Sequence, residues 1–333
     1  MNPVERTIED VFLSNEIMDF TRPIITVITP YYNNTNLTNT VRSVLSQDYP
    51  NIEYIIADDC SDNIEVILNE IKDILNNLKL EYFLSFKIQR QIKNVGTVKN
   101  LNSAIKQARG EIIFFLAADD MFYNNYVLSK WVSFFQNEKA IVSTAKRVVC
   151  KNTISNIQCI RPKKKQIENI KKMSPQNLYY TIAYENYISG CCTAYRKECF
   201  KQYGYFDEAY ILLEDHPMVL KLLKKGVKIS FWNNIAIYYM NDGISSVTKL
   251  NKKYEQDVEK LLETEAKYQG HNVADIIAKY EARRNKLLHF YNNWTKKKYM
   301  KASKIYPEQA VKEALKPARS IFMKLYMYIK KLV

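Results

Sequence analysis

The run GEIIFFLAADDMF, residues 110 to 122, constrains the fold of this chain more than any other stretch. Five consecutive apolar residues, Ile112 to Leu116, lie between a glycine and small residues and read as a strand buried on both faces. Strands of that kind sit inside parallel sheets covered by helices, and ligands of open α/β sheets bind beyond the strands' carboxyl ends. Here that end carries Asp119 and Asp120. Two readings follow: a polar turn, because aspartate is common in turns, or a site where a carboxylate meets a hard cation and substrate phosphates.

Upstream, Ile24 to Thr29 is a short β-branched strand that stops at Pro30, and PYYNN supplies the loop after it. A helix is predicted from Leu37 to Ser46, with Leu37, Val41, Val44 and Leu45 on one face, before a second strand, Ile52 to Ala57. That strand also ends in acids, Asp58 and Asp59. Asp62 is placed to cap a helix carrying Ile64, Ile67, Leu68, Ile71 and Leu75, and Tyr82 to Gln89 is a third strand. Asn94 and Gly96 form a turn into a helix striped by Val98, Leu101, Ala104, Ile105 and Ala108, which Gly110 ends. Strand and helix alternate up to the acidic run, which predicts a doubly wound parallel sheet with its acids on one edge.

Helix Asn124 to Phe135 and strand Ala140 to Val149 continue the domain, whereas Lys151 to Pro175 reads as a basic loop or insertion over the active edge. ISGCCTAYRKECF predicts a strand with Gly190 at its start and a short helix around Lys197 to Gln202. Glu214, Asp215 and His216 open a helix that Gly226 ends, and acids at a helix amino terminus have a simple explanation as caps. Strand Ile235 to Met240 leads through NDGISS into a charged helical region. These features divide the chain into an extension over 1–22, a domain over 23–248 and a basic helical region over 249–333.

Hydrophobic residues at 47% and charged residues at 25% describe a globular chain, not a disordered one. A formal charge of +14 points to an anionic neighbour. Beyond Asn285, however, Lys and Arg outnumber acids by about ten, so the basic character belongs to the tail. The last helix, after Pro307, sets Lys316, Ser320, Lys324 and Lys331 on one side and Ile321, Phe322, Leu325, Ile329 and Leu332 on the other. It reads either as docked on the catalytic domain or a second copy, or as lying in an anionic membrane surface. No nucleic-acid module accompanies the charge. Six cysteines without C-x-x-C spacing predict core thiols in a reducing compartment, and the acidic amino terminus lacks the apolar core of a signal peptide. A cytoplasmic location is expected, with peripheral attachment to the inner face of the plasma membrane as a further expectation.

Taken in order, VITPYYNN, YIIADDCSDN, NVGTVKNLNSAIKQARGEIIFFLAADD and ILLEDHPMVLKLLKKG resemble the motif series of the inverting family 2 nucleotide-sugar glycosyltransferases, which have the GT-A fold. The likeness spans about residues 23 to 248. It implies a Rossmann-like, mostly parallel central sheet flanked by helices, followed here by an α-helical C-terminal extension. It further implies that Pro30 and Tyr32 line the base of a UDP-sugar donor, that Asp58 or Asp59 accepts the uracil ring N–H, and that Lys99 reaches toward base or phosphate as a point charge. Ala118, Asp119 and Gly190 complete the donor site, Asp119 holds Mn²⁺ or Mg²⁺ with Asp120 in support, and Asp215 is the catalytic base, with Glu214 orienting the substrates. The acceptor is a saccharide, lipid-linked or protein hydroxyl.

The sequence departs from the family pattern at three places. Cys60 stands where a small residue, most often glycine, is usual. Ala117 replaces a common acid two positions before the metal-binding one, and Met240 and Asp242 stand where an arginine and a histidine are frequent. Asp242 would offer the metal an oxygen ligand in place of that histidine, against a plain reading as a loop aspartate. Ala117 and Met240 also prompt an alternative reading, a nucleotide-sugar-binding protein without turnover, which the retention of Asp119 and Asp215 opposes.

Overall fold

The computed structural model describes residues 6–13, 19, 21–34, 36–77, 84–151, 153–240 and 251–282. The chain divides into two units, residues 1–243 and 244–333. Asp242 and the basic helix after Pro307 lie outside the described residues.

A ten-stranded mixed sheet organises the first unit. Its parallel half is built from β2 (Ile25–Tyr31), β3 (Ile52–Asp58), β4 (Leu84–Arg90) and β5 (Ile112–Phe115), side by side in the order β4-β3-β2-β5. β3 and β5 are buried along their whole length, which is why they read as continuous apolar runs without alternation. Helices α1 (Leu37–Leu45), α2 (Ile64–Asn77) and α3 (Thr97–Gln107) connect these strands and bury the apolar stripes legible in the sequence, such as Val98, Leu101, Ala104 and Ile105 on α3. β1 (Arg6–Leu13) adds an antiparallel edge strand to β4, so part of the amino-terminal extension joins the sheet.

Beyond β5 the direction changes. After β6 (Met121–Phe122) and α4 (Val127–Glu138), β7 (Val142–Lys151) runs toward the same edge as the parallel strands, with β10 (Ile229–Met240) parallel to it. Between β5 and β7 lies β9 (Thr193–Arg196), antiparallel to both. A parallel pairing requires a crossover that returns to the starting end of the sheet. The chain instead enters β9 from the carboxyl edge of β5, so β9 runs back down the sheet. Trp131 of α4 stacks on Trp232 of β10 at 5.1 Å and meets Phe114 of β5 edge-on at 5.3 Å, tying the two halves into one core.

Residues 151–175, expected as a loop or insertion, are not a loop but regular structure. β8 (Thr153–Arg161) pairs antiparallel with β7, and α5 (Lys164–Lys172) and α6 (Pro175–Ile182) follow. β8 is exposed along most of its length, which removed the apolar alternation by which a strand is recognised. α7 (Lys197–Tyr203) and α8 (Asp215–Lys224) complete the unit, and Gly190 lies in a 3₁₀ turn, Gly190–Cys192, just before β9. In the second unit, α9 (Lys252–Gln269) is capped by the Asn251 side chain and ends at Gly270, and 273–282 is helical. No helix among the described residues is long and apolar enough to cross a membrane.

Candidate active site

The carboxyl ends of β2, β3, β5, β7 and β10 share one edge of the sheet, and the acids selected from the sequence gather along it. Tyr31 and Asp58 are register partners at the ends of β2 and β3, and Pro30 pairs with Ala57 one step earlier. Tyr32 follows on the loop with half of its surface exposed, free of the core that holds Tyr31. Asp58 is fully buried, accepts the Ser61 N–H at 3.0 Å and lies 3.4 Å from Arg90 Nε, while its Oδ2 has no hydrogen bond. Burial pushes its carboxyl above the ordinary aspartate value, with Asp59 adding to the push.

Asp59 is engaged differently. Its two oxygens accept the N–H groups of Val95 at 2.7 Å and Gly96 at 2.9 Å, clamping the turn that opens α3. That turn needs a glycine, because Gly96 has φ +88° and a Cβ there would meet the Ile211 carbonyl oxygen at 2.9 Å. Of the two acids, Asp59 has both oxygens taken up by the α3 turn, and Asp58 keeps Oδ2 without a hydrogen bond, beside Arg90. Cys60 follows at φ +65°, a left-handed backbone that glycine adopts without strain. Lys99 is exposed on the first turn of α3.

The strand-to-loop step after β5 is a tight turn in which the Asp120 N–H donates to the Ala117 carbonyl at 2.9 Å. Ala118 is buried beneath it, Asp119 is half-buried at its tip, and Asp120 is fully buried. Asp120 Oδ1 accepts the Met240 N–H at 2.8 Å, Thr40 donates to its carbonyl at 2.7 Å, and Oδ2 has no hydrogen bond. Burial, reinforced by the charge of Asp119, raises the Asp120 carboxyl well above its ordinary value. Asp120 thus fastens β10 to the turn, and Asp119 presents its carboxylate beside it.

No group of three or more His, Cys, Asp or Glu side chains among the described residues is arranged to hold a metal ion. A half-buried aspartate at the mouth of a sheet nevertheless fits a cation that arrives with a diphosphate, since Mg²⁺ takes one or two protein carboxylates and fills its shell with phosphate oxygens and water. The donor set suits a substrate-borne ion better than a resident one.

Glu214 occupies the position before α8 and makes no capping hydrogen bond. Asp215, the first helical residue, accepts the Gly190 N–H through Oδ2 at 2.9 Å and the His216 N–H through Oδ1 at 2.6 Å. His216 Nε2 lies 2.8 Å from the Ile182 carbonyl, which anchors the start of α8 to the end of α6. The contact at Gly190 is tight: a Cβ there would sit 2.9 Å from Asp215 Cβ and 3.0 Å from Glu214 Oε1. A backbone turn and two acids from distant sequence are thereby joined, and any side chain at 190 would part them.

Two residues of this edge escaped the sequence reading. Arg147 on β7 and Arg161 on β8 stand directly opposite one another and are buried, and Nη1 of Arg147 donates to Cys192 Sγ at 3.8 Å. The Cys191 thiol, the Arg147 guanidinium and Thr144 together hold the Cys192 thiol below its ordinary value against the effect of burial. An arginine in an apolar strand was the available signal for Arg147. Arg161 lay in the stretch read as a loop.

A mixed α/β sheet with acids collected at its carboxyl edge is the architecture of a protein that receives ligands across its strand ends. The chain belongs to glycosyl transferase family 2, whose family model matches residues 26–204, and it is a glycosyltransferase. It is 30% identical over 231 residues to the putative teichuronic acid biosynthesis glycosyltransferase TuaG of Bacillus subtilis, covering 68% of this chain and 82% of the relative. It is 27% identical over 237 residues to WfaP of Escherichia coli, a UDP-Glc:α-D-GlcNAc-diphosphoundecaprenol β-1,3-glucosyltransferase, covering 70% and 84%. Among solved structures, Staphylococcus aureus TarS 1–349 in complex with UDP-GlcNAc superposes with a TM-score of 0.55 at 24% identity, over 73% of this chain and 65% of that one. At that identity the likeness speaks for the GT-A-like fold alone. The chain spans only 39% of the longer TarS chain.

Proposed function

We propose that this glycosyltransferase moves a sugar from a UDP-sugar to an acceptor hydroxyl in one displacement that inverts the anomeric carbon, in the synthesis of a surface polysaccharide or related glycoconjugate. The observation that carries the proposal is the bond from the Gly190 N–H to Asp215 Oδ2, which ties a carboxylate that also receives a first-turn N–H of α8 to the turn before β9 at the sheet edge. In this reading Asp58 accepts the uracil ring N–H, Tyr32 covers the base, and Pro30, Lys99 and Ala118 line the donor. Asp119 would hold Mn²⁺ or Mg²⁺ with Asp120 and Asp242 in support, and the ion, when bound, neutralises charge on the departing diphosphate. Asp215 takes the proton of the attacking hydroxyl, and Glu214 orients the reactants. No enzyme nucleophile is required. The names of TuaG and WfaP support a polysaccharide or lipid-linked acceptor.

The transferase domain is assigned to residues 23–248. The basic region over 249–333 is read either as packing on the domain or on a partner chain, or as holding the enzyme at an anionic membrane surface, where each Lys or Arg contributes about 1 kcal/mol. Equal partitioning of intact and tail-deleted protein onto anionic vesicles would refute the membrane reading.

The reaction is tested by UDP release from a panel of UDP-sugars with Mn²⁺ or Mg²⁺. One donor is expected to be hydrolysed slowly, and Asp119→Ala is expected to abolish both turnover and metal-dependent UDP binding. Metal-independent release of UDP, unchanged in Asp119→Ala, would reject the cation assignment.

A further inference from the structure

Arg147 and Arg161 are directly opposed across β7 and β8, so their side chains leave the sheet on one face. Arg147 is 8% exposed and Arg161 is 5% exposed, and Nε of each has no hydrogen bond. Neither forms an ion pair among the described residues. Around them stand Cys192 Sγ, which takes one N–H of Arg147, and the Tyr239 ring, 5.3 Å from the Arg147 guanidinium. Asp120 acts on Arg147 through its charge alone, and its own Oδ2 is unbonded. Cys192 offsets part of the cost of burying Arg147, but Arg161 is taken out of water with no ion-pair partner among the described residues, and two like charges facing one another add to that cost.

An oxyanion offsets both costs, because each guanidinium presents a planar fork of N–H donors matched to phosphate or carboxylate oxygens. The place is next to the reaction centre, since Cys192 is two residues from Gly190, whose N–H holds Asp215. The approach is also basic: exposed Lys164 and Lys165 open α5 three residues beyond Arg161, with no acid in that first turn. We propose that Arg147 and Arg161 form a specificity subsite for a phosphate or carboxylate carried by one of the two glycosylation substrates. Its chemistry is that of an acidic donor sugar or a phosphorylated acceptor, and the assignment rests on the transferase reading above.

The test compares charged and neutral members of two substrate pairs: UDP-glucuronate against UDP-glucose, and an alkyl-linked hexosyl diphosphate against the alkyl hexoside. In wild type, kcat/KM favours the charged member of one pair, and the pair identifies whether donor or acceptor brings the anion. Arg147→Met and Arg161→Met are each expected to lower that charged-to-neutral ratio by at least about tenfold, the order of one charge-assisted hydrogen bond, with Arg161→Lys intermediate. If both members change by the same factor in both pairs, the subsite does not exist. A second measurement needs no turnover: inorganic phosphate or free glucuronate at millimolar concentration raises the melting temperature of wild type and leaves both Met variants unmoved. Protection without any sugar transfer would break the transferase reading and leave the subsite standing. Protection without charge discrimination in transfer would mark an adventitious anion and overturn the substrate assignment.

Discussion

The two edges of the central sheet treat buried charge in opposite ways. At the amino edge, Glu53 is fully buried and every bond it can accept is made: Thr26 Oγ1 at 2.6 Å, the Arg109 N–H at 2.7 Å, Arg109 Nε at 2.9 Å and Lys87 Nζ at 3.1 Å. At the carboxyl edge, Asp58, Asp120, Arg147 and Arg161 are also buried, and each keeps a polar atom without a hydrogen bond. The first arrangement holds strands β2, β3 and β4 together. The second has donors and acceptors to spare, as an edge that receives polar ligands must. Substitutions at the two edges should therefore separate stability from activity.

The largest effect belongs to the carboxyl edge. Asp215→Asn removes the base and leaves one oxygen for two N–H donors, those of Gly190 and His216, so kcat should fall by about 10²- to 10⁴-fold while UDP binding stays near wild type and stability falls by no more than about 1 kcal/mol, the worth of one hydrogen bond. A larger loss of stability would instead place Asp215 among the structural acids. Next comes Gly190→Ala. Its methyl must displace Asp215 or Glu214, and misplacing a reacting group by about 1 Å costs as much as 10²-fold, so kcat should fall by about 10- to 10²-fold. Unchanged kinetics would show that the acids at 214 and 215 can yield without consequence.

This contrast also explains what the sequence could reveal. β2, β3, β5 and the helices between them were legible because burial on both faces leaves unbroken apolar runs and one-sided stripes. Asp58, Asp119 and Asp215 were legible because strand ends and helix starts can be located. Which acid does what was not, since that depends on contacts with residues far away in sequence: Asp59 is taken up by the α3 turn 36 residues on, and Asp120 by Met240. Arg161 was hidden because β8 is an exposed strand with no alternation, and its partner in β7 appears only through register. The antiparallel insertion of β9 was equally silent, as it depends on the edge from which the chain enters the sheet.

A smaller and opposite effect is expected at the amino edge. Glu53→Gln retains the shape but gives up the charge that binds Lys87 and Arg109, and should lower stability by about 2–3 kcal/mol, read as a reduced urea midpoint with an unchanged slope. Arg109 is half exposed, so the loss falls below that of a sealed ion pair. Burial alone would raise the Glu53 carboxyl, but the Thr26 hydroxyl, the Arg109 N–H and Lys87 outweigh it and hold it below the ordinary value of 4.5. A depressed folded-state value means that the stabilisation is complete above 4.5 and disappears as the pH falls through that lower value. The acid limb of the stability curve should therefore flatten in Glu53→Gln, and an unaltered limb would assign the acid sensitivity elsewhere.

The smallest effect has the opposite sign and tests the comparison most directly. Burial lowers the affinity of the Arg161 guanidinium for its proton, with Arg147 adding to the effect, so the charge is held against its environment. Arg161→Met replaces it with an apolar chain of similar length. Exchanging buried charge for well-packed apolar groups is often neutral or stabilising, and removing a functional strain commonly adds to stability. The variant should therefore gain about 1 kcal/mol in a urea titration at neutral pH without ligand. A loss of stability in Arg161→Met as large as in Glu53→Gln would mean that the two edges treat charge alike, with Arg161 held by the fold and not by a ligand.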